Sequence, residues 1–194
     1  IFVDLLKTIH DCEVKEDELP SQKQIALNWT SFLEDYLPSD IFNKIYTLVK
    51  NVPEENRILH GDYHMKNVLF QNNEPLLIDM DTLARGNAIF EFASIYNALI
   101  GFYDITLSGD RNFLGLSHEC EIACWKRIVE LYFNSTDPKV FEEVSNKSRL
   151  MGFIRLLRRS IRRGALETET GLKQVKIIKD NIIELSNKIN DLSL

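Results

Sequence analysis

Residues 60–67, HGDYHMKN, place two histidines, an aspartate, a lysine and an asparagine beside an apolar run, and two further acids, Asp79 and Asp81, follow a short polar stretch. Reading NVLF and PLLIDM as the strands of a hairpin turning near Asn72 and Asn73 sets Asn67 opposite Ile78 or Asp79. Side chains alternate along a strand, so Asp79 and Asp81 are expected on one side while Ile78 and Met80 enter the core. An amide oxygen beside carboxylates, with no cysteine cluster, suits Mg2+, a cation that keeps several waters and is completed by phosphate oxygens. Asp62 stands outside that donor set. One aspartate to accept the proton of an attacking hydroxyl, with an asparagine and a second aspartate to hold the metal, is what phosphoryl transfer requires.

The run ILHGDYHMKNVLF followed by LLIDMDT resembles the catalytic and metal-binding segments of the aminoglycoside phosphotransferase and choline-kinase-like families, relatives of the protein kinases. The resemblance implies an α+β, mostly helical fold: the large C-terminal lobe of a protein-kinase-like fold, with a small catalytic β-hairpin. It also implies an activity, Mg2+-dependent transfer of the γ-phosphate of ATP or GTP to a hydroxyl of a small molecule of aminoglycoside, sugar or amino-alcohol type. Carried over by position, Asp62 is the catalytic aspartate, and His64 stands where protein kinases carry a phosphate-facing lysine. Asn67 and Asp79 bind metal and nucleotide, and Asp81 is a further or supporting ligand. His60 is expected to hydrogen-bond to backbone near the metal-binding segment. RGNAIFEFAS resembles the family's GDPxxDLA run, with Asn87 and Glu91 in place of its two aspartates, so that Glu91 should brace the catalytic loop from a buried helix. LLKTIHD resembles the helix that opens the large lobe, which extends the likeness over residues 1 to about 136.

The elements that must position these residues are mainly helical. Phe2, Leu5, Leu6 and Ile9 share one face of a first helix, and Ile25, Trp29, Phe32, Leu33 and Tyr36 recur at helical spacing as a core stripe. Ser39 is the expected N-cap of a third helix closed by Pro53. FEFASIYNALIGF, apolar nearly all round, predicts a buried helix, and YDITLSGDRNFLGLS a surface loop. Ser117 and Asp137-Pro138 mark two further helix starts. In the last helix Leu172, Val175, Ile178, Ile182, Leu185, Ile189 and Leu192 form a seam that docks on its own lobe or, alternatively, forms a homodimer.

The 194 residues, 44% hydrophobic, suffice for one lobe spanning the chain. A net charge of −6 argues against broad nucleic-acid binding. No run approaches the ~18 apolar residues of a membrane span, and a cytoplasmic protein is expected. The three cysteines form no disulfide framework. Cys120 and Cys124 with His118 could ligate a metal, but buried thiols are the preferred reading. The eight glycines form neither G-x-G-x-x-G nor G-x-x-x-x-G-K-[ST]. With Ile1 rather than Met at the start, this leads to the expectation that the small nucleotide lobe precedes the chain. Residues 1–194 alone should then turn over nucleotide negligibly.

Arg155, Arg158, Arg159, Arg162 and Arg163 fall within roughly 140° of one helical face. Arg155, Arg159 and Arg162 are candidate acceptor-side residues for phosphate or carboxylate, against the simpler reading of a solvated charged face. A polycationic acceptor would instead use acids such as Glu13, Glu16, Asp17 and Glu18. Tyr96, Asn97, Phe102 and Tyr103 are candidates to flank the acceptor. Two other classes stay open: a metal-dependent hydrolase with His60, Asp62, His64 and Asp79 as ligands, and a non-catalytic pseudokinase or binding module.

Overall fold

A computed structural model of the protein describes residues 1–106 and 113–194. Three helices open the chain: α1 (Phe2–His10), α2 (Gln22–Ser31) and α3 (Ser39–Asn51). Four short strands follow, β1 (Ile58–Leu59), β2 (Val68–Gln71), β3 (Glu74–Leu77) and β4 (Ala84–Arg85). Then come α4 (Ile89–Tyr96), a π-helical turn (Asn97–Gly101), α5 (Phe102–Asp104), α6 (His118–Phe133), α7 (Pro138–Arg162) and α8 (Glu169–Lys188). The fold is therefore mostly helical with two small antiparallel ladders, compatible with the expected α+β class.

The ladders frame the polar loop. β1 pairs with β4, Ile58 opposite Arg85 and Leu59 opposite Ala84. β2 pairs with β3 from Val68–Leu77 to Gln71–Glu74. Asn72 and Asn73 turn that hairpin with φ of 53° and 65°, left-handed values that asparagine tolerates and that a two-residue hairpin turn requires. The strand ends at Leu77, earlier than the sequence suggested. Asp79 takes a left-handed φ of 63°, and Met80–Thr82 coils into a single 3-10 turn. Strand alternation therefore fails at this point: Met80 is 41% exposed rather than in the core.

The centre of the molecule is α7, whose Leu150, Met151, Phe153, Ile154 and Leu157 are buried in the larger apolar cluster. α4 crosses it closely at Gly152, where a Cβ would sit 2.6 Å from Asn97 Oδ1 and 3.2 Å from the Ala93 carbonyl. α8 lays Val175, Ile178, Ile182 and Leu185 into the same cluster, leaving Leu172 half exposed. A second cluster joins α1, α4 and α6 around Leu6, Tyr63, Phe92 and Trp125.

Several local expectations shift by a residue or a face. Ser39 is the first residue of α3, after an N-cap at Pro38. The buried face of α1 centres on Val3, Leu6 and His10, with Phe2, Leu5 and Ile9 at its margins. In α2 the innermost residues are Ala26 and Thr30, followed by Leu33, so Trp29, Phe32 and Tyr36 are rim rather than core. Ser117 and Asp137 cap α6 and α7 as expected, accepting from the Cys120 and Lys139 amides. Of the expected surface loop, Phe102–Asp104 is helical, and residues 107–112 lie outside the described residues.

Candidate active site

The loop between β1 and β2 is held from below by one buried carboxylate. Glu91, fully buried on α4, accepts from the backbone amides of His60 (2.5 Å), Gly61 (3.0 Å) and Tyr63 (3.3 Å). Three convergent N–H donors compensate the loss of water around a buried charge. His10 of α1, also buried, points Nε2 to within 3.9 Å of the same carboxylate and bonds Tyr132 through Nδ1. His60 uses both ring nitrogens: Nε2 donates to the Ile78 carbonyl (2.9 Å) and Nδ1 accepts from the Asp62 amide (3.2 Å). It thus ties this loop to the segment carrying Asp79, by the backbone hydrogen bond expected of it. Gly61 has φ of +81°, and a Cβ there would lie 2.3 Å from the Thr82 carbonyl; only glycine fits.

This bracing presents Asp62. Its Oδ1 receives Ser94 Oγ and Arg155 Nη2, both at 3.2 Å, and His64 Nε2 lies 3.6 Å from Oδ2. The imidazole of His64, long for a hydrogen bond at that distance, and then the Arg155 charge and the Ser94 hydroxyl overcome the cost of burial. They hold the carboxyl down to about 2. Arg155 also donates to the Gly61 carbonyl (2.9 Å).

Asn67 is buried and donates Nδ2 to the Asp62 carbonyl (3.0 Å), while its own carbonyl accepts from the Ile78 amide (3.0 Å). The hairpin therefore continues one pair beyond its strands and sets Asn67 against the residue before Asp79. Asp79 and Asp81 are exposed, and among the described residues neither carboxylate has an ion-pair or hydrogen-bond partner. Asp79 is strained: a non-glycine left-handed backbone costs ~1–2 kcal/mol, tolerated best by Asp and Asn. Asn67 uses one of its two Nδ2 hydrogens for the bond to the Asp62 carbonyl; its amide oxygen and the two unpaired carboxylates are hard oxygen donors of the type Mg2+ takes.

The metal-dependent hydrolase reading, with His60, Asp62, His64 and Asp79 as ligands, does not survive this geometry. His60 is fully buried with both nitrogens engaged by backbone. Among the described residues no three His, Cys, Asp or Glu side chains gather as a metal site, which also removes the His118, Cys120 and Cys124 set. Cys120 is exposed and Cys124 half-buried, not the buried thiols expected.

A family model for a phosphotransferase enzyme family, APH, matches residues 2–112, more than half of the chain. The chain belongs to that phosphotransferase family. No curated protein and no solved structure reaches a significant match. The matched span contains Asp62, Asn67, Asp79, Asp81 and Glu91, but not α7.

α7 nevertheless completes the phosphotransferase's cavity, a cleft of about 230 Å³ bordered by Asp62, His64, Asn97, Phe102, Arg155 and Arg159. Of the three arginines expected at the acceptor, Arg155 and Arg159 line it, whereas Arg162 is exposed and outside it. Arg155 lies 5.4 Å from the Trp29 ring centre and Arg159 5.1 Å from that of Phe102. Of the flanking candidates, Asn97 and Phe102 reach the cavity. Tyr96 instead donates to Asp104, and Tyr103 stacks on His118. Glu13, Glu16, Asp17 and Glu18 do not line it, and Glu16 pairs with Arg85.

Two contacts escaped the sequence reading. Ser94 follows Glu91 by one helical turn, and Asn97 follows Ser94 by another; polar residues at steps of three on an apolar helix were the available signal. The pairing of Arg155 with Asp62, across 93 residues, had no local signal.

Proposed function

We propose that residues 1–194 form the catalytic and acceptor-binding lobe of an ATP-dependent phosphotransferase acting on a hydroxyl of a small molecule. The observation that carries this reading is Asp62, ionised at a cavity mouth, on a loop whose amides are pinned by Glu91 and whose carbonyl is tied to Asn67. Asp62 would orient the acceptor hydroxyl and take its proton as that oxygen bonds to the γ-phosphorus and the bond from phosphorus to the β–γ bridging oxygen breaks, releasing ADP. Asn67 and Asp79, with Asp81 beside them, would hold Mg2+, and His64 would face the transferred phosphate. Bound there, the metal supplies charge neutralisation for the phosphate oxygens. Pinning by Glu91 and His60 keeps the groups from reorganising during transfer, and such positioning supplies most of this kind of catalysis.

The nucleotide's remaining contacts would come from a separate lobe. Leu69, Phe70, Leu76 and Met80 are exposed along the hairpin next to Asp79, an apolar surface of the kind a partner domain covers.

The test is transfer of labelled γ-phosphate from ATP to a panel of hydroxylated small molecules, using the protein with whatever coding sequence precedes Ile1. Asp62→Asn should lower turnover at least about a hundredfold. Equal turnover by that variant would remove Asp62 from its role.

A further inference from the structure

We propose that the acceptor carries an anionic group, a carboxylate or a phosphate, held by Arg159 together with Arg155 within the cavity; this rests on the phosphotransfer reading above. Among the described residues, the charges facing the cleft are one carboxylate, Asp62, and two guanidiniums, Arg155 and Arg159. Arg155 is committed to Asp62 and the Gly61 carbonyl. Among the described residues Arg159 makes no ion pair or hydrogen bond; Asp62 attracts it from farther away, Arg155 and Arg163 repel it, and it lies against the face of Phe102. Asp62 and Arg155 cancel, and Arg159 leaves the cleft with a surplus positive charge.

A cationic acceptor would meet that charge with, among the described residues lining the cleft, no acid but Asp62 to offset it. An anionic one would bring Arg159 the partner it lacks, in the bidentate geometry that guanidinium offers carboxylate and phosphate. Phe102 and Trp29 hold the two guanidiniums against their faces, so less side-chain freedom is lost on binding. Size also limits the acceptor. Arg155 and Arg159 are one helical turn apart, ~5–6 Å between neighbouring positions, and the cavity of about 230 Å³ is smaller than the ~300–1,000 Å³ of drug-sized sites. The hydroxyl at Asp62 and the anion at Arg159 must belong to one small molecule.

The experiment titrates glycerate, glycerol 3-phosphate and choline into the chain by calorimetry, with Mn2+ binding measured in parallel. Glycerate, glycerol phosphate or both should bind saturably and choline should not; the stronger of the two identifies the anion. Arg159→Gln should weaken that binding about tenfold or more, while Arg163→Ala, at an exposed position outside the cavity, should leave it within about twofold. Arg159→Gln should leave Mn2+ binding intact. Absence of saturable anion binding, tighter binding of choline, or equal weakening by the two substitutions would overturn the proposal. Failure of the unsubstituted chain to bind Mn2+ would strike the phosphotransfer reading instead and leave the arginine comparison readable.

Discussion

Asp62 is governed by three side chains from three parts of the chain: His64 of its own loop, Ser94 of α4 and Arg155 of α7. Its carboxyl titrates near 2 against an ordinary value of 3.8. Because the folded-state value is depressed, the carboxylate contributes stability above about pH 4, and that contribution is lost as pH falls through about 2. Arg155→Ala should raise the Asp62 value, measured by carboxyl NMR titration, and narrow the window of acid stability; an unmoved titration would contradict the pairing. Glu91→Ala strands three buried amides and should cost about 3–5 kcal/mol in denaturant unfolding. Glu91 and His60 were readable in advance because each lies within a recognisable run next to the group it supports. The pairing of Arg155 with Asp62 was not, since a charged stripe on a helix looks the same whether it faces solvent or a carboxylate far away in sequence.

The start of α4 shows how an element adapts to a substituted motif. Asn87 accepts from the Ile89 amide and donates Nδ2 to Glu55. An aspartate there would keep the first bond but face the second carboxylate without a proton between them. Asn87→Asp should therefore destabilise the protein by about 1–3 kcal/mol at neutral pH. The loss should recede as pH falls, because one of two crowded carboxyls has a raised value and protonates early, and Glu55→Gln should restore stability at pH 7. Thermal unfolding at pH 5 and 7 checks both. The hairpin was readable from Asn72-Asn73, whose chemistry specifies the turn. Its far end was not, because the left-handed backbone at Asp79 breaks the alternation that the apolar pattern implied.

In the molecule as a whole, the long helices supply the core and the small ladders frame the candidate site. α8 spends its apolar seam inside the larger cluster, where Ile178 and Ile182 are fully buried. Ile178→Ala should then cost about 2–5 kcal/mol with no change in sedimentation; a loss of self-association would place the seam between copies instead. Lys147, paired with Glu143 and Asp191 and bonded to the Ser193 carbonyl, ties residues beyond α8 back onto α7. No helix among the described residues is long and apolar enough to cross a membrane. The helical periodicities located these elements, but not which face of α2 turned inward: Ala26 and Thr30, weak in hydrophobicity, lie deepest, and the Thr30 hydroxyl is satisfied by the Ala26 carbonyl.

In the proposed function Asn67 and Asp79 form one cation site beside Asp62, and paramagnetic broadening by Mn2+ in the presence of a nucleotide reads this directly. Amide signals of Asp62, Asn67 and Asp79 should broaden together. Asp79→Asn, which keeps the left-handed backbone and removes the charge, should abolish the effect without lowering stability. Broadening that spares these residues, or that persists unchanged in Asp79→Asn, contradicts a shared metal and phosphate site.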